Sequence, residues 1–393
     1  MDRFWKFRDV PEDLWMDWKW QLKNRLSNNS DLKEIFPNIS IKELNGFRDY
    51  VKKYNFAITP YTLSLVELDE ELNPKKDDPV WSQFRFYSKE ETEGVSDYDG
   101  RRENWEESSE MPTRILQHKY PDRAIIRIIN TCFGHCNYCY LTSRVLDKDT
   151  SKDKKGDGSE WEKTLRYLRN KPAVRDVLIS GGEPLLLNNE RLERIFFDLS
   201  LIPSIRSIRL NTRTLTFNPY RFDKDMVSLF KKYRLTALEI HTVHPVEIND
   251  VFDERLKLFD DMGYRPMILW RAPLLKGIND KVEVLEELFM KLYERRITPY
   301  YLFHYAPFTL GRSTYGLGVR KGSMLMAELR RRIPGPAVPR YTLFHIEGKQ
   351  DIPLEQEGNS SFIYTSDEKG NPVVKFKNWK NKWVEYPDID DGF

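Results

Sequence analysis

The chain has 393 residues, with 63 Lys and Arg against 61 Asp and Glu, so its formal net charge is only +2. This balance gives no sign of a surface for nucleic acid or anionic lipid, and no apolar run approaches the roughly 20 residues that a membrane span needs. The N-terminus alternates charge with tryptophan and lacks the apolar stretch of a signal peptide, so we expect a cytoplasmic protein that binds neither nucleic acid nor a membrane.

The predicted elements change character along the chain. The first 115 residues indicate several helical segments, followed by an acidic, turn-rich connector at 89–110. From residue 123, short apolar runs predict six strands: 123–130, 176–181, 207–212, 236–242, 267–275 and 298–307. Amphipathic stretches between them predict five helices: 161–171, 190–200, 223–233, 251–263 and 280–296. Asp280 is the predicted N-cap of the last helix.

Six strands separated by helices predict an α/β fold with a parallel sheet. A partial (β/α)6 barrel fits this count, and a doubly wound open sheet fits it nearly as well. A polar loop is predicted at 147–160, and one helix followed by short strands is predicted from residue 321. We therefore divide the chain into an N-terminal helical region (1–115), a partial barrel (116–320) and a C-terminal segment (321–393).

The three cysteines of the chain, Cys132, Cys136 and Cys139, form a CxxxCxxC motif directly after the first strand of the predicted barrel. Three thiolates on one loop can ligate three irons of a [4Fe-4S] cluster, which leaves the fourth iron open. S-Adenosylmethionine can fill that position and, on receiving one electron, can be cleaved to a 5′-deoxyadenosyl radical. The alternatives are a structural zinc site completed by His135, and three buried cysteines without a role.

A second motif, Ser180-Gly181-Gly182-Glu183-Pro184, follows the second strand of the predicted barrel. Ligands of parallel sheets bind at the carboxyl ends of the strands. Paired glycines permit close backbone approach, and Glu183 could accept hydrogen bonds from the ammonium group of the cosubstrate. A strand-to-helix turn with two glycines is common. The interpretation therefore depends on the position of this motif, one βα unit after the cysteine motif.

These motifs, with WMDWKWQLKNRL (15–26), FAITPYTLSL (56–65) and AVPRYTLFHIEGK (337–349), resemble the lysine 2,3-aminomutase family of radical S-adenosylmethionine enzymes. The resemblance covers nearly the whole chain. It implies a partial (β/α)6 barrel, a [4Fe-4S] cluster, S-adenosylmethionine, pyridoxal phosphate (PLP) and a homo-oligomer, either a dimer or a tetramer. It also implies a reductant protein such as flavodoxin or ferredoxin.

The resemblance carries over site residues position by position. Lys349 matches the lysine that bears PLP, whose amine the substrate amine displaces. Three residues match the segment that anchors the PLP phosphate: Lys119, Tyr120 and Arg123. Arg213 matches another basic position near that cofactor. Cosubstrate contacts are expected from Gly181, Gly182, Glu183, His241 and Arg271, although the family has glutamine at the last position and His241 could simply be a satisfied histidine.

Three substrate-binding charges of the family are replaced in this chain. Leu141 stands where an arginine holds the substrate carboxylate, and the nearest arginine is Arg144. Ala306 and Phe344 stand where two aspartates hold the lysine side-chain amine. A buried ammonium without a carboxylate partner costs several kcal/mol, so we expect an aliphatic or aromatic amino acid, or a derivative, in place of lysine. Either Arg144 or Arg271 holds the carboxylate, or that group is absent or modified.

The resulting prediction is a PLP-assisted 1,2-amino migration started by the 5′-deoxyadenosyl radical. One alternative is hydrogen abstraction on the same fold without amine migration, as in an epimerase, lyase or dehydrogenase. A second is a non-catalytic iron–sulfur scaffold, which would need neither the GGE motif nor Lys349. The family's zinc-binding cysteines are absent, so no structural zinc is expected.

Overall fold

The computed structural model describes residues 3–86, 106–148, 151, 157–306, 309, 311–345, 347–353, 362–378, 380 and 382–392. Of the connector predicted at 89–110, residues 89–105 lie outside this part of the chain. The same holds for residues 149, 150 and 152–156 of the loop predicted at 147–160.

The N-terminal region contains short helices and a two-stranded ribbon. The helices are α1 (Glu12–Trp15), α2 (Trp18–Lys23), α3 (Ile41–Lys53) and α4 (Pro60–Leu63), and the ribbon pairs β1 (Leu26–Ser27) with β2 (Ala57–Ile58). Helix α3 begins with a capping box, in which Ser40 and Glu43 satisfy each other's backbone N–H groups. The region packs its aromatic side chains into the same core as the rest of the chain.

The main sheet has nine strands in reverse chain order, β11 to β3. Its strands are β3 (Leu116–Tyr120), β4 (Arg123–Arg127), β5 (Asp176–Ser180), β6 (Ser207–Thr212), β7 (Ala237–Ile240), β8 (Met267–Pro273), β9 (Thr298–Phe303), β10 (Arg340–His345) and β11 (Gly348–Asp351). Strands β4 to β10 are parallel, and β3 and β11 add antiparallel edges. The six predicted strands are β4 to β9, each ending within a few residues of the expected position.

The two edges of this sheet meet, as in a nearly closed barrel. The backbone N–H of Lys349, on the last strand, donates a hydrogen bond of 3.0 Å to the hydroxyl of Tyr120, on the first. This contact favours the barrel over an open doubly wound sheet. Strands β10 and β11 belong to the segment assigned to the C-terminal part, so two strands of the barrel sheet come from beyond residue 320.

Helices connect the parallel strands as predicted. They are α5 (Gly158–Arg169), α6 (Asn189–Ser200), α7 (Thr214–Phe217), α8 (Lys224–Lys232), α9 (Asp250–Asp261), α10 (Val282–Glu294), α11 (Arg312–Tyr315) and α12 (Val319–Leu329). A separate antiparallel meander of β12 (Ile363–Ser366), β13 (Pro372–Lys377) and β14 (Trp383–Pro387) follows. No helix among the described residues is long and apolar enough to cross a membrane.

The prediction that Asp280 caps α10 is wrong. The N-cap position is Lys281, whose side chain makes no capping hydrogen bond. The Asp280 carboxylate instead accepts a 2.8 Å hydrogen bond from the backbone N–H of Gly277. The Asp280 carboxylate therefore stabilises the turn before α10 and does not cap the helix.

Candidate functional site

Polar side chains line one face of the barrel sheet. Strand register places Ile125, Leu178 and Arg209 opposite one another, and residues two apart on a strand share a face. The same face carries a chain of ion pairs, in which Arg209 pairs with Asp176 and Glu239, and Glu239 also pairs with Arg271 at 3.1 Å. Lys349 lies near these ion pairs, and the charges of Arg271, Glu239 and Arg209 all affect its pKa. This face is therefore the charged interior of the barrel.

The cysteine loop is fixed to the end of β5 by the paired glycines. The N–H of Gly182 donates to the carbonyl of Ile129, and the N–H of Glu183 donates to the carbonyl of Thr131 at 2.7 Å. A Cβ on Gly182 would lie 2.1 Å from the Thr131 oxygen, and Gly181 has a φ of +131°. The close approach predicted for these glycines is thus made to the chain's own backbone, just before the cysteines.

Two arginines lie against the cysteines. Arg25 Nη1 donates a 2.7 Å hydrogen bond to the carbonyl of Cys132, and Arg213 Nη1 donates a 2.6 Å hydrogen bond to Cys136 Sγ. Burial raises the pKa of the Cys136 thiol, and the Arg213 cation opposes that shift. Guanidinium groups beside the sulfurs favour the thiolate form that an iron–sulfur cluster requires.

The three thiols of this loop are the ligand type that iron–sulfur clusters use. In a [4Fe-4S] cluster, each thiolate ligates a different iron, so the sulfurs need not converge on one point. Among the described residues, no three cysteine, histidine, aspartate or glutamate side chains are arranged around one ion position. His135 is buried, which lowers the pKa of its imidazole to about 3, and its ring nitrogens make no hydrogen bond within the described residues.

Arg213, expected near PLP, lies against the cysteine loop. Its guanidinium contacts Cys136, Tyr138, Gln83 and Glu247. The ion pair to Glu247 is 2.8 Å long and almost completely buried. Arg213 is therefore a neighbour of the cysteine loop.

Glu183 and His241, the residues expected to contact the cosubstrate, already have protein partners. Glu183 accepts hydrogen bonds from the hydroxyl of Thr212 and the backbone N–H groups of Arg213 and Leu185. Burial raises the pKa of Glu183 to about 7, against the effect of these hydrogen bonds. His241 Nε2 lies 3.1 Å from the Tyr138 hydroxyl, and burial lowers the pKa of its ring well below the ordinary value. Both residues lie close to the cysteine loop.

Lys349 lies in an aromatic and cationic environment. Its Nζ is 4.5 Å from the ring centroid of Tyr301 and 5.0 Å from that of Phe303. Burial first, and then the nearby Arg271 cation, lower the pKa of the Lys349 ammonium to about 7. A substantial fraction of this amine is therefore neutral and nucleophilic near neutral pH, as a Schiff-base lysine requires.

The residues expected to anchor a phosphate lie around the same lysine. The Arg123 guanidinium stacks over the Tyr120 ring at 4.2 Å, and Arg123 is one of the cations that lower the pKa of Lys349. The Tyr120 hydroxyl binds the Lys349 backbone. Lys119 forms an ion pair with Glu110, in which both side chains are mostly buried. The structure therefore brings Tyr120 and Arg123 to Lys349, whereas Lys119 contacts a carboxylate.

The three replaced substrate positions are apolar, and Phe344 is partly buried. Phe344 pairs directly with Lys349 across β10 and β11, so the two side chains share a face. The Phe344 ring lies edge-on to Tyr140 at 5.3 Å and to Phe303 at 6.1 Å. Leu141 and Ala306 are each less than a tenth exposed. An apolar wall thus lies beside the lysine.

Arg144 is buried in a cluster that the sequence analysis did not identify. Its Nε and Nη2 atoms donate to Glu106 at 2.8 and 3.1 Å, and Arg127 Nε lies 3.3 Å from the same carboxylate. Of the arginines considered for the substrate carboxylate, Arg144 is thus paired with Glu106, and Arg271 is paired with Glu239. Alternation along β4 could have indicated Arg127, because it shares a face with Arg123.

Comparisons with known proteins show what this chain is similar to. Residues 126–288 match the model of the radical SAM superfamily. The chain is 33% identical over 341 residues to L-lysine 2,3-aminomutase from Clostridium subterminale, an alignment that covers 87% of this chain and 78% of that protein. It is 32% identical over 387 residues to a putative L-lysine 2,3-aminomutase from Aquifex aeolicus, with 98% of both chains covered. It is 28% identical over 377 residues to glutamate 2,3-aminomutase from Clostridioides difficile, covering 96% of this chain and 84% of that protein.

Proposed function

The chain belongs to the lysine 2,3-aminomutase family of radical S-adenosylmethionine enzymes, and from this premise we propose that it is a PLP-dependent aminomutase for an amino acid other than lysine. It moves the amino group to the adjacent carbon. The observation that carries the proposal is Lys349, an amine with a pKa of about 7 that lies between aromatic rings and beside Arg271. A lysine on a solvated turn has no such environment.

Membership of the radical SAM superfamily implies a [4Fe-4S] cluster and S-adenosylmethionine. When bound, they supply a 5′-deoxyadenosyl radical after one electron arrives from a reductant protein such as flavodoxin or ferredoxin. Cys132, Cys136 and Cys139 hold the cluster, and Arg213 hydrogen-bonds to one of the ligating sulfurs. The buried ion pair between Arg213 and Glu247 holds this guanidinium in position.

PLP, when bound, supplies a carbonyl carbon that takes up an amine and a conjugated ring that stabilises an adjacent radical. Lys349 provides the amine that holds it between turnovers. Arg123 and Tyr120 lie beside this lysine and can bind the phosphate, and the rings of Tyr301 and Phe303 lie against Nζ. We propose that the active enzyme is a homo-oligomer, as the family resemblance implies.

The substrate side chain is aliphatic or aromatic in this proposal. Ala306 and Phe344 offer no carboxylate to a substrate ammonium, and a desolvated ammonium without a partner costs several kcal/mol. Phe344 and Tyr140 instead present ring surfaces next to Lys349. This apolar wall therefore favours the binding of a substrate with an uncharged side chain and disfavours the binding of lysine.

Anaerobic reconstitution with iron, sulfide and PLP, followed by borohydride reduction and peptide mapping, tests this proposal. We expect the reduced pyridoxyl group on the peptide that contains Gly348-Lys349-Gln350, and we expect 5′-deoxyadenosine on addition of S-adenosylmethionine and dithionite. A Lys349→Ala protein should keep its iron and slow deoxyadenosine formation but lose the pyridoxyl label. A Cys136→Ala protein should lose iron and deoxyadenosine, because the chain has no spare thiol.

Two results contradict the proposal. A label on another lysine refutes the assignment of Lys349. Turnover of a substrate without any bound PLP refutes amine migration and favours hydrogen abstraction alone.

A further inference from the structure

Arg127 is a buried cation of the barrel that neither the sequence motifs nor the family resemblance assigns. It is the last residue of β4, and it shares the charged interior face with Arg123, four residues earlier on the same strand. It pairs in register with Ser180 at the end of β5. Arg127 thus lies at the carboxyl ends of the parallel strands, where such sheets bind ligands.

The hydrogen bonds of Arg127 leave part of its guanidinium unsatisfied. Its side chain is only 2% exposed. Nη2 donates a 2.7 Å hydrogen bond to Gln117 Oε1, but Nε and Nη1 make no hydrogen bond within the described residues. A buried guanidinium with unmet donors is costly, so an acceptor is expected to complete it.

A second buried arginine, Arg144, lies beside Arg127 and Glu106. Arg127 and Arg144 are both buried beside one carboxylate, Glu106, and Arg144 engages both of its oxygens. Arg127 Nε and Arg144 Nε both approach the same atom, Glu106 Oε1. A carboxylate at Nη1 of Arg127 would supply the acceptor that this nitrogen lacks among the described residues.

Contacts on two sides connect the cluster of Arg127, Arg144 and Glu106 to Lys349. Gln117, the partner of Arg127, lies on β3 with Tyr120, whose hydroxyl binds the Lys349 backbone. On the other side, Tyr140 influences the pKa of Arg144 and its ring contacts Phe344, the residue opposite Lys349. The arginine cluster is thus linked to Lys349 through β3 on one side and through Tyr140 and Phe344 on the other.

We propose that Arg127 binds the carboxylate of the amino-acid substrate, the role that Leu141 cannot perform. This inference rests on the proposed function, because it assumes that the substrate amine reacts at Lys349.

The test uses the reconstituted full-length protein and follows the absorption spectrum of bound PLP. Four probes are titrated: L-leucine, L-phenylalanine and their primary amides, which lack the carboxylate. The quantity compared is the ratio of acid affinity to amide affinity in each protein. Arg127→Gln should lower this ratio about tenfold or more, because a charge-assisted hydrogen bond is lost for the acid alone.

Two further variants control the measurement. Arg221→Gln removes another buried guanidinium, one that binds the carbonyls of Leu185 and Leu187, and it should leave the ratio unchanged. Should the glutamine variant fail to fold, Arg127→Lys decides, because a shorter side chain without the planar fork must also lower the ratio.

The possible results distinguish a failure of this inference from a failure of the proposed function. An unchanged ratio in the folded Arg127 variants overturns this inference and leaves the proposed function intact. A loss of PLP affinity without a change in the ratio also overturns it, and would assign Arg127 to the cofactor phosphate. No spectral response of the wild-type protein to any of the four amines refutes the proposed function, and the inference with it.

Discussion

The backbone N–H of Lys349 donates a 3.0 Å hydrogen bond to the phenolic oxygen of Tyr120, 229 residues earlier in the chain. This bond joins β11 to β3, the two edges of the nine-stranded sheet. It thereby places Lys349 next to the segment that carries Arg123. The hydrogen bond that joins the two edges of the barrel therefore also positions Lys349 in the candidate PLP site.

We expect Tyr120→Phe to weaken both closure and cofactor retention. The variant removes the acceptor of the Lys349 N–H, which should cost about 1 kcal/mol in the free energy of unfolding and lower the fraction of protein that borohydride labels with PLP. Tyr264→Phe is the matched control, since its hydroxyl donates a single 2.7 Å hydrogen bond to the carbonyl of Leu235. Equal PLP labelling of the two variants at equal stability would contradict the role of Tyr120.

We expect Gly182→Ala to displace the cysteine loop. A methyl group there would lie 2.1 Å from the Thr131 oxygen, a backbone atom that cannot move without the loop. Bound iron after anaerobic reconstitution should fall to a small fraction of the wild-type content. Gly335→Ala, at a position where a Cβ meets nothing within 4 Å, should keep full iron content. Normal iron binding by Gly182→Ala would show that the loop does not depend on this contact.

We expect Arg213→Met to make the cluster harder to reduce. Loss of a cationic donor to Cys136 Sγ destabilises the more negative, reduced cluster, so the midpoint potential should fall. Electron paramagnetic resonance during a redox titration measures this shift independently of turnover. The buried Arg221→Met protein should keep the wild-type potential. A potential that is unchanged or raised in Arg213→Met would contradict the assigned contact.

The low pKa of Lys349 predicts a pH dependence of stability in the protein without PLP. The unfolded lysine titrates near its ordinary pKa of 10.5, whereas the folded one titrates at about 7. Between these values the unfolded state binds more protons, so this residue makes the protein more stable as pH rises. Lys349→Met should therefore be more stable than wild type at and below pH 7, and the difference should shrink towards pH 10.5.

Chemical denaturation of both proteins at several pH values measures this difference. A gap that stays constant between pH 7 and pH 10 would contradict a depressed pKa at Lys349.

Much of the barrel could be predicted from sequence because its signals are local. The apolar runs of β4 to β9 alternate with amphipathic helices, and this order requires parallel strands. The junction of β3 with β11 could not be predicted, because no local pattern reports a contact between residues so far apart. Asp280 was misassigned because its carboxylate could serve either the turn at Gly277 or the helix that follows.

The same difference between local sequence patterns and tertiary contacts applies to the candidate site. The cysteine spacing and the resemblance at Lys349 predicted where the two candidate cofactor sites lie, and the assignment of both sites stays a prediction. The direction of a long side chain is set by tertiary contacts, so the position of Arg213 beside Cys136 emerged only from the structure. Arg127 was overlooked although the alternation of β4 placed it on the same face as Arg123.

Product analysis after anaerobic turnover tests the central claim most directly. The reconstituted enzyme is incubated with S-adenosylmethionine, PLP and dithionite, and separately with L-lysine and with each uncharged L-amino acid. Chromatography with mass spectrometry then identifies any 3-amino isomer. The account predicts such an isomer from an aliphatic or aromatic amino acid and none, or a trace, from lysine. Efficient formation of β-lysine would contradict it.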